Sequence, residues 1–342
     1  MDKRRFNITG KIIPELHYYV DLTPQLKKLM ALADEGTYFV INRPRQFGKT
    51  TVLDFFARRL QASKDYVPAL ISFESFTQLF DITEAEFYAN VAKRIFEELK
   101  PVTDGLTDIK INDFDITSRN DFFEWLRETC RHLRKKLVLL IDETDAVPET
   151  VVIGFLAGLR EMFLQRDRKP AAYAVCLAGV HDIKNLKARY RKETRSLGSA
   201  SPFNIAIDYE LPPFNLKNIR QYFLQHTKET GQTFDEQVFA RVHHVTNGHP
   251  WLVSVLAKTM VEGLVPHRRR RIQLDHTEAA IQKLFASRNS NFDNLFNNAH
   301  NPRLLPIVLD LLTGKRHQYD IQSDDFNLGI MHGVFARKDR QL

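Results

Sequence analysis

The segment 43–51 constrains the fold most strongly, because it reads Arg-Pro-Arg-Gln-Phe-Gly-Lys-Thr-Thr directly after the apolar run Tyr38–Ile41. This order predicts a strand, a phosphate-sized loop and a helix that begins at Lys49. Gly48 lets the backbone approach a phosphate closely, the Lys49 ammonium can reach the β- and γ-phosphates, and the Thr50 hydroxyl can hold Mg²⁺. The helix N-terminus adds unpaired N–H donors. The pattern predicts a nucleoside triphosphate site.

One position departs from the Walker A pattern G-x-x-x-x-G-K-[ST], which would place glycine at position 43. Arg43 and Pro44 stand there instead, so the loop must turn without the freedom of glycine at positive φ. The alternative interpretation is a basic loop that contains Gly-Lys-Thr by chance. The candidate phosphate-binding residues are Arg43, Pro44, Arg45, Gln46, Phe47, Gly48, Lys49, Thr50 and Thr51.

A second signal is the apolar run Leu137–Ile141, which is followed by Asp142 and Glu143. An unbroken apolar run is typical of a parallel strand buried on both faces, and ligands of open α/β sheets bind at the carboxyl ends of strands. We expect Asp142 to hold Mg²⁺ through water, as a Walker B aspartate does, and Glu143 to orient or deprotonate the attacking water. Alone, this run would also suit an ordinary strand end. Its order after the Gly-Lys-Thr loop favours the nucleotide site.

Composition is typical of a globular protein with more than one compact unit. The chain has 342 residues, of which 43% are hydrophobic and 27% are charged. No apolar stretch reaches the length of a membrane span, and the start lacks the pattern of a secretory signal. The two cysteines, Cys130 and Cys176, form neither a disulfide framework nor a metal-ligand pattern. We expect a cytoplasmic protein that makes no membrane contact.

Apolar patterning predicts strands that alternate with helices, which is typical of a parallel sheet with helices on both faces. The predicted strands are 37–42, 67–73, 137–141 and 171–179. The predicted helices among them are 25–35, 49–60, 84–99, 121–135 and 151–164, and 100–118 is predicted to be a loop. Later predicted helices are 215–226, 235–245, 250–261, 277–287 and 301–313.

These elements predict an α/β fold, namely a P-loop NTPase parallel sheet with helices on both faces, followed by a helical lid and a winged-helix domain. The predicted regions are 1–36, an N-terminal segment that packs on the core; 37–212, the P-loop core; 213–290, the lid over the nucleotide; and 291–342, the winged-helix-like domain.

Two further sites have open interpretations. His181 and Asp182 follow the strand 171–179 and are candidate polar sensors of the γ-phosphate, while Asp182 equally suits a helix cap. The run Arg268, Arg269, Arg270 and Arg271, in a chain of net charge +7, suits contact with the phosphate backbone of a nucleic acid. The alternative for this run is a solvated linker between helices.

Several segments resemble those of the bacterial predicted AAA-ATPase-like group, a P-loop family near the archaeal-type ATPases and the STAND NTPases. They are His17–Asp21, Asn42–Thr51, Phe122–Trp125, Leu139–Asp145, Leu177–Leu186, Ser201–Ala206 and Thr246–Leu252. The resemblance covers most of residues 6–330. It implies that Arg43 is a family trait, and that the nucleotide is ATP rather than GTP.

The resemblance also suggests contacts to the base. Residues 246–252 resemble the Gly-x-Pro lid motif of related proteins, which would place Gly248 and Pro250 near the adenine. A proline is also a common first residue of a helix, so both interpretations of Pro250 stand. Tyr18 and Tyr19 either stack on the base or form a core pair.

The leading hypothesis is an ATP-binding, ATP-hydrolysing switch that uses Mg²⁺, with Lys49 and Glu143 as catalytic residues. It would turn over slowly and relay the nucleotide state to an unidentified protein partner or within a homo-oligomer. A second hypothesis is a nucleic-acid-binding module with a structural nucleotide. A third, a small-substrate kinase, lacks a substrate-binding insertion. Many members of the resembled group carry a nuclease domain, but Asp324 and Asp325 lack a following Glu-x-Lys element, so we expect no nuclease activity.

Overall fold

A computed structural model describes residues 4–76, 82–102, 115–179, 205–287, 290–318, 320 and 323–335. The chain divides into two compact units. The sheet unit consists of Pro24–Arg43 and Val52–Leu211, and the helical unit consists of Met1–Thr23, Pro44–Thr51 and Pro212–Leu342. By its contacts, the Walker A loop therefore belongs to the helical unit.

The sheet unit contains a parallel sheet of five strands in the order β2-β3-β4-β1-β5. The strands are β1 (Tyr38–Asn42), β2 (Tyr66–Ser72), β3 (Lys136–Asp142), β4 (Ala174–Gly179) and β5 (Ile207–Asp208). β4 is buried throughout, and β3 is buried after Lys136, because both strands lie inside the sheet and are apolar on both faces. Pro68 lies in the edge strand β2, where a missing N–H is tolerated.

The helices of this unit are α1 (Thr23–Asp34), α2 (Lys49–Gln61), α3 (Glu84–Leu99), α4 (Arg119–His132) and α5 (Glu149–Leu164). Thr83 caps α3 in a capping box with Glu86, and Ser118 caps α4. The core joins β1–β4 to an aromatic group on these helices, which includes Phe87, Phe122, Trp125 and Phe155.

In the described part of the helical unit, the N-terminal segment and the helices between Leu216 and Ala286 share a second core, and Leu304, Leu328 and Phe335 form a separate small core at the C-terminal helices. The helices are α6 (Leu216–Thr230), α7 (Glu236–Thr246), α8 (Pro250–Lys258), α9 (Leu274–Ala286), α10 (Ser290–Ala299), α11 (Leu305–Leu312) and α12 (Asp324–Met331). A π-helical turn, Thr259–Leu264, extends α8. Phe6 of the N-terminal segment lies 4.9 Å from the ring of Tyr18 and 5.0 Å from that of Tyr222, measured between ring centroids.

The structure corrects several predicted bounds. β4 begins at Ala174 rather than 171, and α4 ends at His132 rather than 135 because Leu133 has an extended backbone. β5 and α10 are not in the predicted set, and Lys100–Val102 forms a 3₁₀ turn rather than a loop. In the described part of 291–335, α10, α11 and α12 form and strand pairing is limited to a single bridge at Gln318, so the winged-helix domain stays a prediction. The division at 36, 212 and 290 also stays a prediction.

Within the described ranges, no helix combines the length and the apolar character that a bilayer crossing requires.

Candidate nucleotide site

The Walker A loop makes its sharp turns at Gln46 and Gly48. Gln46 has φ of 57° and Gly48 has φ of 86°, both in the left-handed region. Glycine adopts this region at little cost, whereas glutamine is strained there. Arg43 does not have a positive φ. The loop therefore passes Arg43 without the positive φ that glycine would allow, as the sequence predicts, and the strained residue of the loop is Gln46.

The Arg43 guanidinium fixes the carboxyl end of β1 within the sheet unit. Its Nε donates to the Leu211 carbonyl oxygen at 2.5 Å, and its Nη2 pairs with the Glu210 carboxylate at 3.0 Å. The side chain is only 11% exposed. Arginine therefore replaces the usual glycine with an anchor for the strand end. A role for Arg43 as a phosphate ligand stays a prediction.

Lys49 and Thr50 begin α2, as the sequence predicts. Lys49 is 5% exposed, and its ammonium donates to the Pro44 carbonyl oxygen at 3.0 Å, which closes the loop on itself. Thr50 is exposed at the helix start. The first turn of a helix can donate backbone N–H groups to an anion that binds at this end.

The loop also contacts the predicted Gly-x-Pro motif within the helical unit. The rings of Phe47 and His249 are 5.2 Å apart between centroids, at 81°. Gly248 has φ of 71°, and a Cβ there would lie 2.0 Å from the Phe214 carbonyl oxygen, so only glycine fits. Pro250 is the first residue of α8. The structure thus brings the loop and this motif together, while their contact with adenine stays a prediction.

The acidic pair lies at the end of β3. Asp142 is 3% exposed, and its Oδ1 accepts the N–H of Glu143 at 2.9 Å. Glu143 has φ of 53° and precedes a 3₁₀ turn, Thr144–Ala146. The Thr144 hydroxyl donates to the carbonyl oxygen of Ala178 in β4 at 3.2 Å. A strained residue held by such bonds is more common at functional sites than elsewhere.

The strand register places the ends of β1, β3 and β4 at one edge of the sheet. Asn42 pairs with Gly179, and Ile141 pairs with Leu177. A Cβ added at Gly179 would lie 2.4 Å from Thr144 Oγ1, so glycine permits the acidic turn to pack on β4. The strand that leads into the Walker A loop and the strand that carries the acidic pair therefore end at the same edge, where α/β sheets bind ligands.

A family model of the AAA-like domain matches residues 8–283 of this chain. The chain belongs to the AAA-like family.

Solved structures agree with this assignment at the level of the fold. The Walker-type ATPase of Pyrococcus abyssi is similar with a TM-score of 0.61 at 15% identity, over 98% of this chain and 95% of that one. Cdc6p from Pyrobaculum aerophilum has a TM-score of 0.50 at 14% identity, over 92% of this chain and 82% of that one. No curated protein sequence is significantly similar to this chain. The AAA-like protein thus has the predicted P-loop NTPase fold.

Tyr18 and Tyr19 of this AAA-like protein differ in their surroundings. Tyr18 is fully buried among core aromatics, and its hydroxyl donates to Glu229 at 3.1 Å, so the core interpretation is correct for Tyr18 and base stacking is wrong. The Tyr19 N–H donates to Gln225 Oε1 at 3.4 Å, and its carbonyl oxygen accepts from Gln225 Nε2 at 2.7 Å. A contact of Tyr19 with the base stays a prediction. His181 and Asp182 lie outside the described residues.

The four arginines of the basic run 268–271 also differ in their surroundings. Arg268 Nη1 lies 3.1 Å from His226 Nε2 and donates to Gln232 Oε1 at 3.4 Å, and Arg271 pairs with Asp235. Arg269 and Arg270 are exposed. Arg268 and Arg271 therefore hold the structure of the helical unit together, which the sequence pattern alone does not reveal.

Proposed function

We propose that this AAA-like protein binds ATP with Mg²⁺ and hydrolyses it slowly, as a molecular switch of the AAA/STAND type. The observation that supports this most strongly is the shared sheet edge. β1 ends there and leads into the loop with Gly48 and Lys49, and β3 ends there with the acidic pair. P-loop NTPases use this combination of parts for phosphoryl transfer.

Lys49 and the loop N–H groups would bind the β- and γ-phosphates. The Lys49 ammonium donates to the neutral Pro44 carbonyl at 3.0 Å. A phosphate oxygen carries charge and is a stronger acceptor for an ammonium than a carbonyl, so the triphosphate would compete well for this donor.

The residues of this chain fit a magnesium ion. Mg²⁺ prefers hard oxygen ligands and keeps several waters. The Thr50 hydroxyl at the exposed start of α2 and the Asp142 carboxylate at the end of β3 supply such oxygens. The ion would neutralise charge on the phosphates. Glu143, which is only partly exposed beside Asp142, would orient the attacking water.

The switch would work through the helices of region 213–290, acting as a lid on the core 37–212. Gly248 and Pro250 are the candidate contacts of this lid with the base. A lid that closes on ATP and loosens on ADP would relay the nucleotide state to a protein partner or to a second copy of the chain. The C-terminal region 291–342 is the candidate segment that would respond to the nucleotide state.

Nucleotide binding by Lys49→Ala tests this proposal. We expect the wild type to bind ATP with Mg²⁺ in a calorimetric titration and Lys49→Ala to lose binding, because the ammonium proposed to bind the β- and γ-phosphates is removed. Lys27→Ala, which removes an exposed lysine of α1, is the matched control and should bind like the wild type. A wild type that binds no nucleotide, or a Lys49→Ala variant with unchanged affinity, would contradict the proposal.

A second candidate function is contact with a nucleic-acid backbone. It is favoured by the exposure of Arg269 and Arg270, which leaves both side chains accessible to phosphates. We expect an Arg269→Ala, Arg270→Ala double variant to lose a salt-sensitive mobility shift with DNA that the wild type shows. Absence of binding by the wild type at low salt would remove this function.

A further inference from the structure

We propose that the Walker A loop is held in its phosphate-binding form by a brace within the helical unit, so that the brace sets nucleotide affinity. The loop brace consists of Ile8, Ile12, His249 and Trp251. This inference rests on the proposed function and names the residues that regulate the same site. The brace residues are positioning residues in this proposal, since His249 and Ile12 contact the loop at Phe47 and Thr51, and Trp251 is bonded to Ile8 of the segment that carries Ile12.

The first arm of the brace is the ring contact between His249 and Phe47. Edge-to-face geometry is the favoured arrangement of two aromatic rings, and the angle of 81° at 5.2 Å fits it. Phe47 is 7% exposed, so its ring lies against protein rather than water. Phe47 directly precedes Gly48, and its position therefore limits the path of the loop at the glycine.

The turn that carries His249 is itself rigid. Asn247 and Gly248 are both left-handed, with φ of 45° and 71°. The Phe214 N–H donates to the Gly248 carbonyl oxygen at 2.9 Å, and the Gly248 N–H donates to the buried Thr246 hydroxyl at 3.1 Å. A side chain on such a turn has a fixed origin, so His249 can act as a stop for the loop.

The second arm runs through the N-terminal segment. The Trp251 indole N–H donates to the Ile8 carbonyl oxygen at 3.1 Å, and the Ile12 N–H donates to the Thr51 hydroxyl at 3.3 Å. A tight turn with Gly10 at φ of 63° joins Ile8 to Ile12. The short stretch His249–Trp251 is thus connected to the loop twice. His249 contacts Phe47 directly, and Trp251 is connected to Thr51 through the N-terminal segment.

The two arms contact the loop on both sides of the residues proposed to bind the phosphates and Mg²⁺. The contacts are at Phe47 and Thr51, and Gly48, Lys49 and Thr50 lie between them. A binding loop that is already ordered loses less conformational entropy when the ligand arrives. Release of either arm should therefore weaken nucleotide binding without removing a ligand of the phosphates.

The test measures the affinity for a non-hydrolysable ATP analogue with Mg²⁺ in His249→Ala, His249→Phe and Trp251→Phe. We expect His249→Ala to bind about 2–10-fold more weakly, the range expected for loss of one aromatic pair. His249→Phe keeps the ring and should recover most of the affinity. Trp251→Phe keeps an aromatic ring but removes the indole N–H and part of the ring system, and should also weaken binding. His244→Ala, at an exposed position of α7, is the control.

A second readout follows hydrogen exchange of the peptide 44–51 in the nucleotide-free protein. Exchange there should be faster in His249→Ala than in the wild type, and His249→Phe should restore protection. The inference is overturned if the wild type binds the analogue and both His249→Ala and Trp251→Phe match the wild type in affinity and exchange. It is also overturned if His249→Phe binds the analogue as weakly as His249→Ala. A wild type that binds no analogue would overturn the proposed function and the affinity claim together. Should His249→Ala fail to fold, Trp251→Phe decides alone, and unchanged affinity there overturns the inference.

Discussion

At the scale of single residues, Glu143 combines strain with a chemically suitable side chain. Its φ of 53° lies in the left-handed region that glutamate rarely adopts, and its N–H is bonded to Asp142 Oδ1. Residues held in this way tend to serve function rather than stability. A substitution that keeps size and hydrogen bonding should therefore remove chemistry and leave the fold intact.

We expect Glu143→Gln to bind ATP normally and to release phosphate about 10²–10⁴-fold more slowly than the wild type, because an amide cannot accept the proton of the attacking water. Bound nucleotide should remain ATP in this variant. Phosphate release and the identity of retained nucleotide measure the effect, with the exposed Glu161→Gln of α5 as control. Hydrolysis at the wild-type rate would remove Glu143 from this role.

The site residues differ in how far the sequence could predict them. Lys49, Thr50 and Asp142 are predictable, because residue type and the order of strand, loop and helix specify them together. The left-handed turn at Gln46 is not, since the motif points to position 43. The contact of Phe47 with His249 joins segments far apart in the chain, and no pattern in one sequence encodes such a pair.

At the scale of elements, α5 carries two glycines that differ in their surroundings. A Cβ added at Gly158 would lie 1.9 Å from the Phe123 ring, while a Cβ at Gly154 would have the Tyr88 hydroxyl as its nearest neighbour, at 3.4 Å. Phe123 cannot move aside easily, because its ring packs against Phe122 and Phe155 at centroid distances of 5.0 and 6.0 Å.

We expect Gly154→Ala to raise the free energy of unfolding by about 0.5–1 kcal/mol, since alanine favours a helix over glycine. Gly158→Ala should lower it by about 1–3 kcal/mol, because overpacking outweighs the same gain. Urea denaturation of both variants measures the difference. Equal stability changes would mean that α5 does not pack on Phe123 as described.

The elements themselves were predictable where apolar patterning was strong. β3 and β4 are unbroken apolar runs, and α3 and α4 have polar caps at their starts. β5 has only two residues and gives no periodic signal. α10 is rich in asparagine, a poor helix former, so packing rather than propensity decides its state.

At the scale of the whole molecule, buried histidine makes folding sensitive to acid. His226 is 1% exposed, and burial, followed by the nearby Arg268, holds its pKa below the ordinary 6.5, against the opposing hydrogen bond that its Nε2 makes to Gln232 Oε1 and the charges of Glu229 and Glu262. The unfolded chain therefore binds a proton near pH 6.5, whereas the folded chain binds it only at a lower pH. The free energy of unfolding is therefore unaffected by this group above pH 6.5 and decreases as the pH falls below 6.5.

We expect the free energy of unfolding to fall between pH 7 and about pH 5.5 by less in His226→Gln than in the wild type. Glutamine has no proton to bind, although the variant should be less stable at every pH because the bonds of the buried ring are lost. Urea titrations at the two pH values measure the difference, with the exposed His300→Gln as control. An unchanged pH dependence in His226→Gln would exclude His226 as a source of the effect.

The proposed function requires a triphosphate bound at Lys49 and the loop N–H groups, with a metal ion that Asp142 binds through water. A crystal structure with a non-hydrolysable ATP analogue and Mg²⁺ tests this most directly. We predict that the β- and γ-phosphates lie at Lys49 and the loop N–H groups, with the ion at Thr50 and, through water, at Asp142. A nucleotide bound away from residues 44–51, or an ion that Asp142 does not reach, would contradict the account.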